Sequence, residues 1–518
     1  MKKIYLYCSI LCILSLSAYA QKETYNWFYG SGQGITWSRT QDFAGAPISN
    51  PNTTVTLRGI PTRYDPVSVH PKMYHLSTRE GCFSLSDEDG NLLFYSSGTQ
   101  IYNANHEIME NATGLSGDTS SAQSGIILPM PRNKKKFVAV TIGIHQGRGA
   151  LRYQVLDLEP NNGLGRLELP KNRSFVLPQG ALEKHFVESL AAIKHANGVD
   201  YWILAVQRNG TNSKMVAWLL TENGVSNTPV TSVIPNVEMS YNSSVYGYLK
   251  FSPNGKYFAL MMFESDNMLW GTFDDRTGIC SNMNDFQTLT SRKIGPYGAE
   301  FSPNSKYLYV GYGGFYNRQI ANVFEFQELL NGNAVFLKTY IDDTNRNEIG
   351  ALQLGPDLRI YMSTYPPTAS SDTSKLYVFE NPNEPLSTEV YALRNLSPGT
   401  GSGADGKSGT RFGLPTFAAS FFVEIEGTTS LCVGEEAVYE LVSNASRIEI
   451  DFDEGDGPTI INNVPELRHT FKKPGNYLIK LRPLNNLGVP IPDQVKTIYT
   501  TVYSCYLPVN HNLINADY

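Results

Sequence analysis

The sequence has few charged residues, few cysteines and no long hydrophobic run beyond its N-terminus. Charged residues make up 17% of the 518 residues, and the formal net charge is −6. A charge-poor, mildly acidic chain lacks the basic surface that nucleic-acid binding requires, so we expect no nucleic-acid partner. After the first 20 residues no stretch reaches the roughly 18 apolar residues of a spanning helix, so we expect no direct membrane insertion.

The N-terminus itself predicts export. Lys2 and Lys3 precede the apolar run 4–16, and an Ala-Tyr-Ala cleavage signal follows that run. We therefore assign residues 1–20 to a signal peptide and expect the mature chain to begin at Gln21. The predicted location is the periplasm or the outer membrane, with the cell surface as the less favoured alternative.

A repeat of about 50 residues carries the fold prediction. One unit, Phe251–Leu260, reads FSPNGKYFAL, and a second, Phe301–Val310, reads FSPNSKYLYV. Each unit is an apolar strand, a Pro-Asn turn and a second strand. Looser copies place six such turns at Gly90, Asn133, Asn197, Asn254, Asn304 and Asp357. Their separations suit β-propeller blades, which need about 40–50 residues each plus loop insertions.

We therefore predict an all-β chain with a seven-bladed, WD40/TolB-like β-propeller over residues 21–425. The 31 Tyr and 24 Phe of the whole chain suit half-buried strands, and its 44 Gly and 29 Pro suit turns. A propeller must close, because an open ring exposes two strand edges. We expect the seventh blade to be shared by two segments from opposite ends of the propeller, the isolated aromatic strand 25–30 and the isolated segment 412–422. The alternative is an irregular sandwich whose Ser-Pro-Asn turns are coincidental.

A second, smaller domain is predicted over residues 427–505, followed by a tail at 506–518. Short alternating strands separated by Gly-Asp-Gly and Pro-Gly turns indicate an Ig-like β-sandwich. Cys432 and Cys505 begin and end this domain, and terminal strands of such sandwiches can lie within bridging distance. We expect these two cysteines to form a disulfide, and expect Cys82 and Cys280 to be buried thiols.

Two parts of the chain resemble known families. Gly455-Asp456-Gly457, His469-Thr470-Phe471 and Pro474-Gly475-Asn476-Tyr477 resemble the signature of the PKD domain, an interaction or spacer module, although Phe471 replaces the usual Tyr. Five pieces carry a second resemblance: Asn26–Gly30, Glu80–Asp87, Gly90–Tyr95, Ser121–Ser124 and Gly413–Pro415. Through these pieces the propeller half resembles exported Bacteroidetes proteins that accompany gliding motility and type IX secretion.

The resemblance implies a non-enzymatic scaffold of the cell envelope. The expected partners are proteins of an outer-membrane secretion or gliding complex, and one role that would fit is a periplasmic subunit that plugs the channel. Segments 40–75 and 111–124, predicted to be long loops, are the candidate contacts. The alternatives are a surface adhesin and a glycan-active propeller enzyme. An enzyme would use the acid pairs Asp274-Asp275 or Asp342-Asp343.

The remaining motifs give no catalytic, cofactor or metal prediction. Residues 401–408 match the phosphate-binding P-loop pattern, but no helix can start in the Gly- and Pro-containing segment that follows. The acidic stretches 87–91, 343–347 and 451–456 could bind calcium, but they lack the loop spacing of an EF-hand and are better read as turn caps. We expect no cofactor, no metal and no catalytic residue.

Overall fold

The computed structural model is built almost entirely of β-strands. It describes residues 22–64, 76–87, 89–144, 150–182, 185–197, 199–239, 245–287, 295–313, 318–365, 375–393, 410–422, 424–428, 430–442, 447–462, 466–484 and 496–505. The predicted signal peptide, the P-loop-like segment and the predicted C-terminal tail lie outside these residues. Within them, no helix is both long and apolar enough to cross a membrane.

Seven blades, each built mainly of antiparallel strands, follow one another along the described chain, and blades 2 and 3 belong to one continuous nine-stranded sheet. Blade 1 contains β1 (Asn26–Tyr29), β2 (Gln33–Gly45) and β3 (Val55–Arg63). Blade 2 contains β4 (Phe83–Ser86), β5 (Leu92–Ser96), β6 (Gln100–Asn103) and β7 (Ile108–Thr113). Blade 3 contains β8 (Gly125–Met130), β9 (Asn133–Thr141), β10 (Arg152–Asp157), β11 (Arg166–Leu167) and β12 (Arg173–Ser174). Blade 4 contains β13 (Phe186–Lys194), β14 (Tyr201–Gln207), β15 (Lys214–Thr221), β16 (Gly224–Val225) and β17 (Val230–Val233).

The last three blades have four strands each. Blade 5 contains β18 (Leu249–Phe251), β19 (Tyr257–Met262), β20 (Asn267–Asp274) and β21 (Ile279–Gln287). Blade 6 contains β22 (Pro296–Phe301), β23 (Tyr307–Tyr312), β24 (Gln319–Glu325) and β25 (Lys338–Ile341), with the short helix α1 (Phe326–Leu330) after β24. Blade 7 contains β26 (Glu348–Leu354), β27 (Ile360–Tyr365), β28 (Leu376–Phe379) and β29 (Val390–Leu393).

The sequence repeat corresponds to the turn between the first two strands of blades 5 and 6. In blade 5 the Ser252 hydroxyl donates to the Asn254 side chain at 2.7 Å and accepts the Tyr257 N–H at 3.0 Å. Ser302 makes the equivalent 2.7 Å bond to Asn304 in blade 6. Serine and asparagine side chains satisfy turn backbone in this way. The repeated Ser-Pro-Asn motif is therefore a structural hairpin and not a binding motif.

The ring is closed where blade 1 meets blade 7. Consecutive blades contact each other through their first strands from β1 to β26. The β2–β3 hairpin extends over blade 7, where the Ile48 N–H donates to the Val390 carbonyl at 2.9 Å. Trp27 is fully buried beside Tyr361 of blade 7, with ring centroids 5.6 Å apart. Closure of this kind removes the exposed strand edges of an open ring.

The segment 410–422 returns to the same place in the ring. Phe417 contacts Trp27 of blade 1 with ring centroids 6.0 Å apart. The sequence predicts a shared blade, but the segment hydrogen-bonds to the two neighbouring blades and not in a ladder with β1. The Phe412 N–H donates to the Arg79 carbonyl at 3.1 Å, and the Phe412 carbonyl accepts the Ala351 N–H at 2.6 Å.

The C-terminal strands form two sheets of a sandwich. One sheet has the order β30 (Glu424–Gly427), β32 (Glu436–Val442) and β35 (Glu466–Thr470). The other has the order β31 (Ser430–Cys432), β37 (Lys496–Tyr503), β36 (Gly475–Pro483), β33 (Arg447–Asp451) and β34 (Thr459–Asn462). Its buried core includes Tyr439, Ile450, Leu467, Phe471 and Leu481. Alternating inward residues from both sheets produce this core.

Cys432 and Cys505 face each other across the edge of the sandwich, with Cα atoms 5.5 Å apart. We predict that replacing both with Ser lowers the stability of the sandwich by roughly 2–4 kcal/mol, because the bond restricts the unfolded chain. All five Trp precede residue 271, so Trp fluorescence does not report on this domain. Hydrogen exchange of peptides from 436–482 is the suitable measurement. Reduction should accelerate exchange in the natural chain and not in the Ser variant; equal exchange before and after reduction contradicts the bond.

Candidate functional site

A funnel of about 430 Å³ opens at one end of the propeller ring. Its lining comes from six of the blades and from the closing segment 410–422. The lining residues are Arg79, Glu80, Ser120, Ile144, Glu188, Tyr246, Phe263, Tyr297, Gly313, Glu348, Ile349 and Phe412. The volume falls within the range of ligand pockets, which is about 300–1,000 Å³.

The funnel residues converge because the first strands of the blades all begin at this end. Ser120 precedes β8, Tyr246 precedes β18, and Glu348 is the first residue of β26. These positions are far apart in the sequence. Because the first strands of the ring share one direction, their starting points lie together, and six blades each contribute one or two residues to the same cavity.

Glu80 places a carboxyl group inside the funnel. The Ser120 hydroxyl donates to its Oε1 at 3.2 Å, and the Tyr297 hydroxyl donates to its Oε2 at 3.1 Å. Burial, followed by the nearby negative charge of Glu188, raises the pKa of Glu80 to about 8. Glu80 therefore carries its proton at neutral pH, whereas an ordinary glutamate is ionised there.

Glu188 is a second enclosed carboxylate, only 3% exposed. It lies in β13, all nine residues of which are buried. Its Oε2 accepts the Ala122 N–H at 3.1 Å, and its carbonyl accepts the Gln123 N–H at 3.0 Å. These bonds attach the segment before β8 to blade 4. A carboxyl group held near another with a raised pKa is an arrangement suited to acid–base chemistry or to binding a positive group.

Aromatic rings form one wall of the funnel. Tyr246 and Phe263 stack with centroids 5.5 Å apart, and Phe263 meets Tyr297 edge-on at 6.1 Å. Phe412 continues the wall at 5.8 Å from Tyr297 and stacks on Tyr365 at 4.5 Å. The cavity therefore combines carboxyl groups with aromatic faces.

Gly413 lets the closing segment approach Glu80. A Cβ at this position would lie 1.6 Å from the Glu80 carbonyl oxygen. Only glycine permits such backbone contact. We predict that Gly413→Ala lowers the free energy of unfolding by about 1–3 kcal/mol, since the added carbon must push the backbone of Glu80 aside. Denaturant unfolding followed by Trp fluorescence measures this change. An unchanged midpoint would show that the two segments do not touch.

The opposite end of the ring is closed by a buried polar cluster. The Lys250 ammonium bonds to Glu300 at 2.8 Å and to the Gln353 side-chain carbonyl at 2.7 Å. The Leu354 N–H donates to the same Glu300 carboxylate at 3.0 Å. Phe417 and the turn Ala419–Phe422 pack over this cluster and leave room for about one water molecule. Among the described residues, this packing closes the ring interior at the end opposite the funnel.

The acid pairs singled out in the sequence do not line the funnel. Asp274 caps the Arg276 N–H at the end of β20, at 2.9 Å. Asp275, beside it, has its pKa raised to about 6 by burial and by the Asp274 charge. Asp342 is buried between blades 6 and 7, and the side chain of Asp343 is 77% exposed. These residues are not brought together as a site.

The acidic stretches considered for calcium mostly cap turns. The Asp87 carboxylate accepts the N–H groups of Asp89 and Asn91 at 3.0 and 2.8 Å. Asp451 accepts the Asp453 N–H at 2.9 Å. In the described part of the chain, no three His, Cys, Asp or Glu side chains are grouped so that they could hold a metal ion.

Of the two candidate contact segments, 40–75 differs from its prediction as a loop, and its residues 65–75 lie outside the described part of the chain. Much of 40–75 belongs to the bulged strands β2 and β3, which pair over Thr40–Gly45. The Thr- and Val-containing stretch has the β propensity for this, and its Pro and Asn residues concentrate in the connecting turn. The second segment, 111–124, is a loop after Thr113, but Ser121, Gln123 and Ser124 are fully buried. It supports the funnel from inside.

The funnel carboxylates were missed because no catalytic or ligand-binding motif contains them. A signal was present nonetheless. Glu188 interrupts an apolar strand, and Lys250 and Glu300 do the same in the aromatic strands that precede the two Ser-Pro-Asn turns. A charge in a strand that is otherwise entirely apolar marks a buried polar site, because an unpaired buried charge is costly.

The comparisons with known proteins found similar solved structures but no matching family model or curated protein. The extracellular domain of BT4673, a provisionally assigned one-component system of B. thetaiotaomicron, has a TM-score of 0.36 and 10% identity over 93% of this chain and 56% of that one. The chain thus spans little more than half of that extracellular domain.

Two other similar structures carry lactonase names. A provisionally assigned 6-phosphogluconolactonase of Bacteroides uniformis has a TM-score of 0.34 and 14% identity over 81% of this chain and 100% of that one. The periplasmic gluconolactonase PpgL of Pseudomonas aeruginosa has a TM-score of 0.33 and 12% identity over 77% and 94%. The strand topology defines this chain as an all-β propeller.

The prediction that the chain is not an enzyme is wrong, because structures named for lactonases are among its neighbours. That prediction followed from the resemblance to scaffold proteins and from the lack of a catalytic motif in the sequence. In a propeller, however, acidic groups converge from separate first strands, as Glu80 and Glu188 do here. Spacing along the sequence does not reveal such a site.

Proposed function

We propose that this chain is an exported propeller that binds a protein partner in the bacterial cell envelope. It would be a component of the type IX secretion or gliding machinery, located in the periplasm or at the outer membrane, where it could close a secretion channel. The observation that carries the binding role is the funnel, an open cavity at one end of an otherwise closed ring. We choose the type IX secretion or gliding machinery because several sequence pieces resemble exported gliding and secretion proteins.

The C-terminal sandwich is proposed to be a PKD domain that acts as a spacer or second docking surface. Its signature residues cluster in space. Phe471 packs on Tyr477 with ring centroids 4.4 Å apart, and His469 stacks on Phe452 at 3.8 Å while bonding to Glu454 at 2.8 Å. This cluster gives the motif a packing role, since it joins the acidic turn to the strand that follows the Pro-Gly turn.

Affinity purification from the envelope of the source bacterium tests the binding role. The tagged natural chain should enrich outer-membrane secretion or gliding components. Tyr246→Ala, at the half-buried rim of the funnel, should reduce that enrichment at least tenfold. The control is Lys135→Glu, an exposed position at the start of β9, at the opposite end of the ring. Recovery of no such component with the natural chain, or an equal loss with both variants, argues against the proposal.

A second candidate function is acid–base hydrolysis in the same funnel. The observation in its favour is the pair of enclosed carboxyl groups, with Glu80 protonated at neutral pH and able to donate a proton while Glu188 acts as the base. Turnover should be measured on a panel of lactones and glycans. Hydrolysis that disappears in Glu80→Gln and persists in Asp274→Asn supports this candidate, and no turnover on any substrate removes it.

A further inference from the structure

We propose that the funnel recognises an organic cation, an ammonium or guanidinium group on an otherwise apolar stem. This inference rests on the proposed binding role of the funnel and names the chemistry of what it binds. The source would be either a Lys or Arg side chain of a protein partner or a free small amine. Both present the same group to the cavity.

Acidic side chains outnumber basic ones in the funnel lining. Three of its residues, Glu80, Glu188 and Glu348, carry carboxyl groups, and one, Arg79, is cationic. Arg79 is exposed at the rim, and among the interactions that act on Glu80 its attraction is the weakest. Once Glu80 is ionised, this lining repels an anionic ligand and attracts a cation.

The hydrogen-bond partners of Glu80 are uncharged. The hydroxyl groups of Ser120 and Tyr297 donate to its carboxyl group. Among the described residues, the ionisable groups that interact with it electrostatically are Glu188, Arg79 and the phenols of Tyr297, Tyr246 and Tyr248. Burial, followed by the Glu188 charge, raises its pKa to about 8, so the Glu80 carboxyl group carries a proton that a cationic ligand would displace.

Aromatic side chains form one wall of the funnel. The faces and edges of Tyr246, Phe263, Tyr297 and Phe412 follow one another at 5.5 to 6.1 Å. Aromatic rings attract cations through their negative faces, and they cover the apolar stem of a Lys or Arg side chain. Carboxylates combined with such rings form the kind of cage that selects positively charged groups.

A cationic ligand and a neutral ligand should differ in how their affinity for the funnel depends on pH. A cation next to Glu80 favours the ionised carboxylate, so binding releases a proton. Affinity then rises by up to roughly tenfold per pH unit between pH 6 and 8 and levels off above pH 8. A neutral ligand leaves the proton in place, and its affinity stays level over the same range.

Isothermal titration of the full mature chain with Nα-acetyl-lysine amide tests the proposal, with uncharged Nα-acetyl-norleucine amide as the matched ligand. The lysine compound should bind at least tenfold tighter than the norleucine compound at pH 8, and at least tenfold tighter at pH 8 than at pH 6. In Glu80→Gln the pH dependence should vanish, whereas Glu107→Gln, an exposed site in the same blade, should keep it. Equal binding of both compounds, level affinity between pH 6 and 8, or no binding overturns the proposal.

The two sources are separated by comparing a Lys-containing tetrapeptide with 1,4-diaminobutane. Tighter binding of the peptide supports a protein segment, and tighter binding of the diamine supports a free amine; either ranking requires the cation site. The outcome is independent of the envelope purification. Partner recovery without cation binding contradicts this inference alone, and cation binding without partner recovery contradicts the proposed machinery alone.

Discussion

Asp342→Ala is expected to lower the free energy of unfolding by about 3–5 kcal/mol, because it leaves a buried lysine without its counter-charge. Asp342 joins blades 6 and 7. Its carboxylate accepts bonds from the Lys375 ammonium at 3.0 Å and the Tyr377 hydroxyl at 2.6 Å, and Lys375 and Asp342 are both about 6% exposed. Equilibrium denaturation followed by Trp fluorescence measures the loss.

The neighbouring Asp343 provides the control. Its side chain is 77% exposed in a pair with Arg318, so Asp343→Ala should change stability by at most about 1 kcal/mol. Similar losses in both variants would contradict a special role for the buried pair.

Acid should also weaken this junction. Burial acts to raise the pKa of Asp342, but hydrogen bonds from Thr344 and Tyr377 and the Lys375 charge lower it to about 2. The stabilisation is therefore present above about pH 4 and is lost as the pH falls towards 2. Asp342→Ala should lack this part of the acid dependence.

Glu80→Gln, in contrast to Asp342→Ala, is expected to raise the free energy of unfolding. The native Glu80 keeps its proton up to about pH 8, whereas in the unfolded chain it ionises near 4.5. Stability from this group therefore falls as the pH rises through that window, by about 3–5 kcal/mol in total. A glutamine has no proton to lose. The variant should thus gain stability relative to the natural chain between pH 4.5 and 8, with no further gain above pH 8.

Denaturation at half-unit pH steps in amine-free buffer measures this difference. Glu107→Gln is the matched control, because the same substitution at an exposed position in blade 2 should give a level difference over the pH range. A Glu80→Gln curve that stays parallel to that of the natural chain would show that the Glu80 carboxyl group ionises normally.

The repeat and the aromatic strands were sufficient to predict the propeller, because turn chemistry is local. Ser252 and Asn254 bond to their own turn, and the same pattern recurs at Ser302 and Asn304. The strands that close the ring were harder to predict. The predicted loop 40–75 contains a long bulged hairpin whose partner surface lies in blade 7, more than 300 residues away in the sequence. Pairing over such distances leaves no short-range pattern.

The funnel could not be predicted, because its chemistry arises from the ring and not from any segment. Glu80, Glu188 and Tyr297 are separated by about 100 residues each, and only the common direction of the first strands makes them neighbours. The residue types that looked catalytic in the sequence, adjacent aspartates, are those that turns use for capping. Charges inside apolar strands were the more informative pattern.

Site-specific photo-crosslinking in cells tests the central claim, that the partner is bound at the funnel end of the ring. A photoreactive phenylalanine analogue would replace Arg79, exposed at the funnel rim, and in a second strain Lys135, exposed at the opposite end. The account predicts an adduct with an envelope protein from position 79 and none from position 135. An adduct from position 135 alone would contradict it.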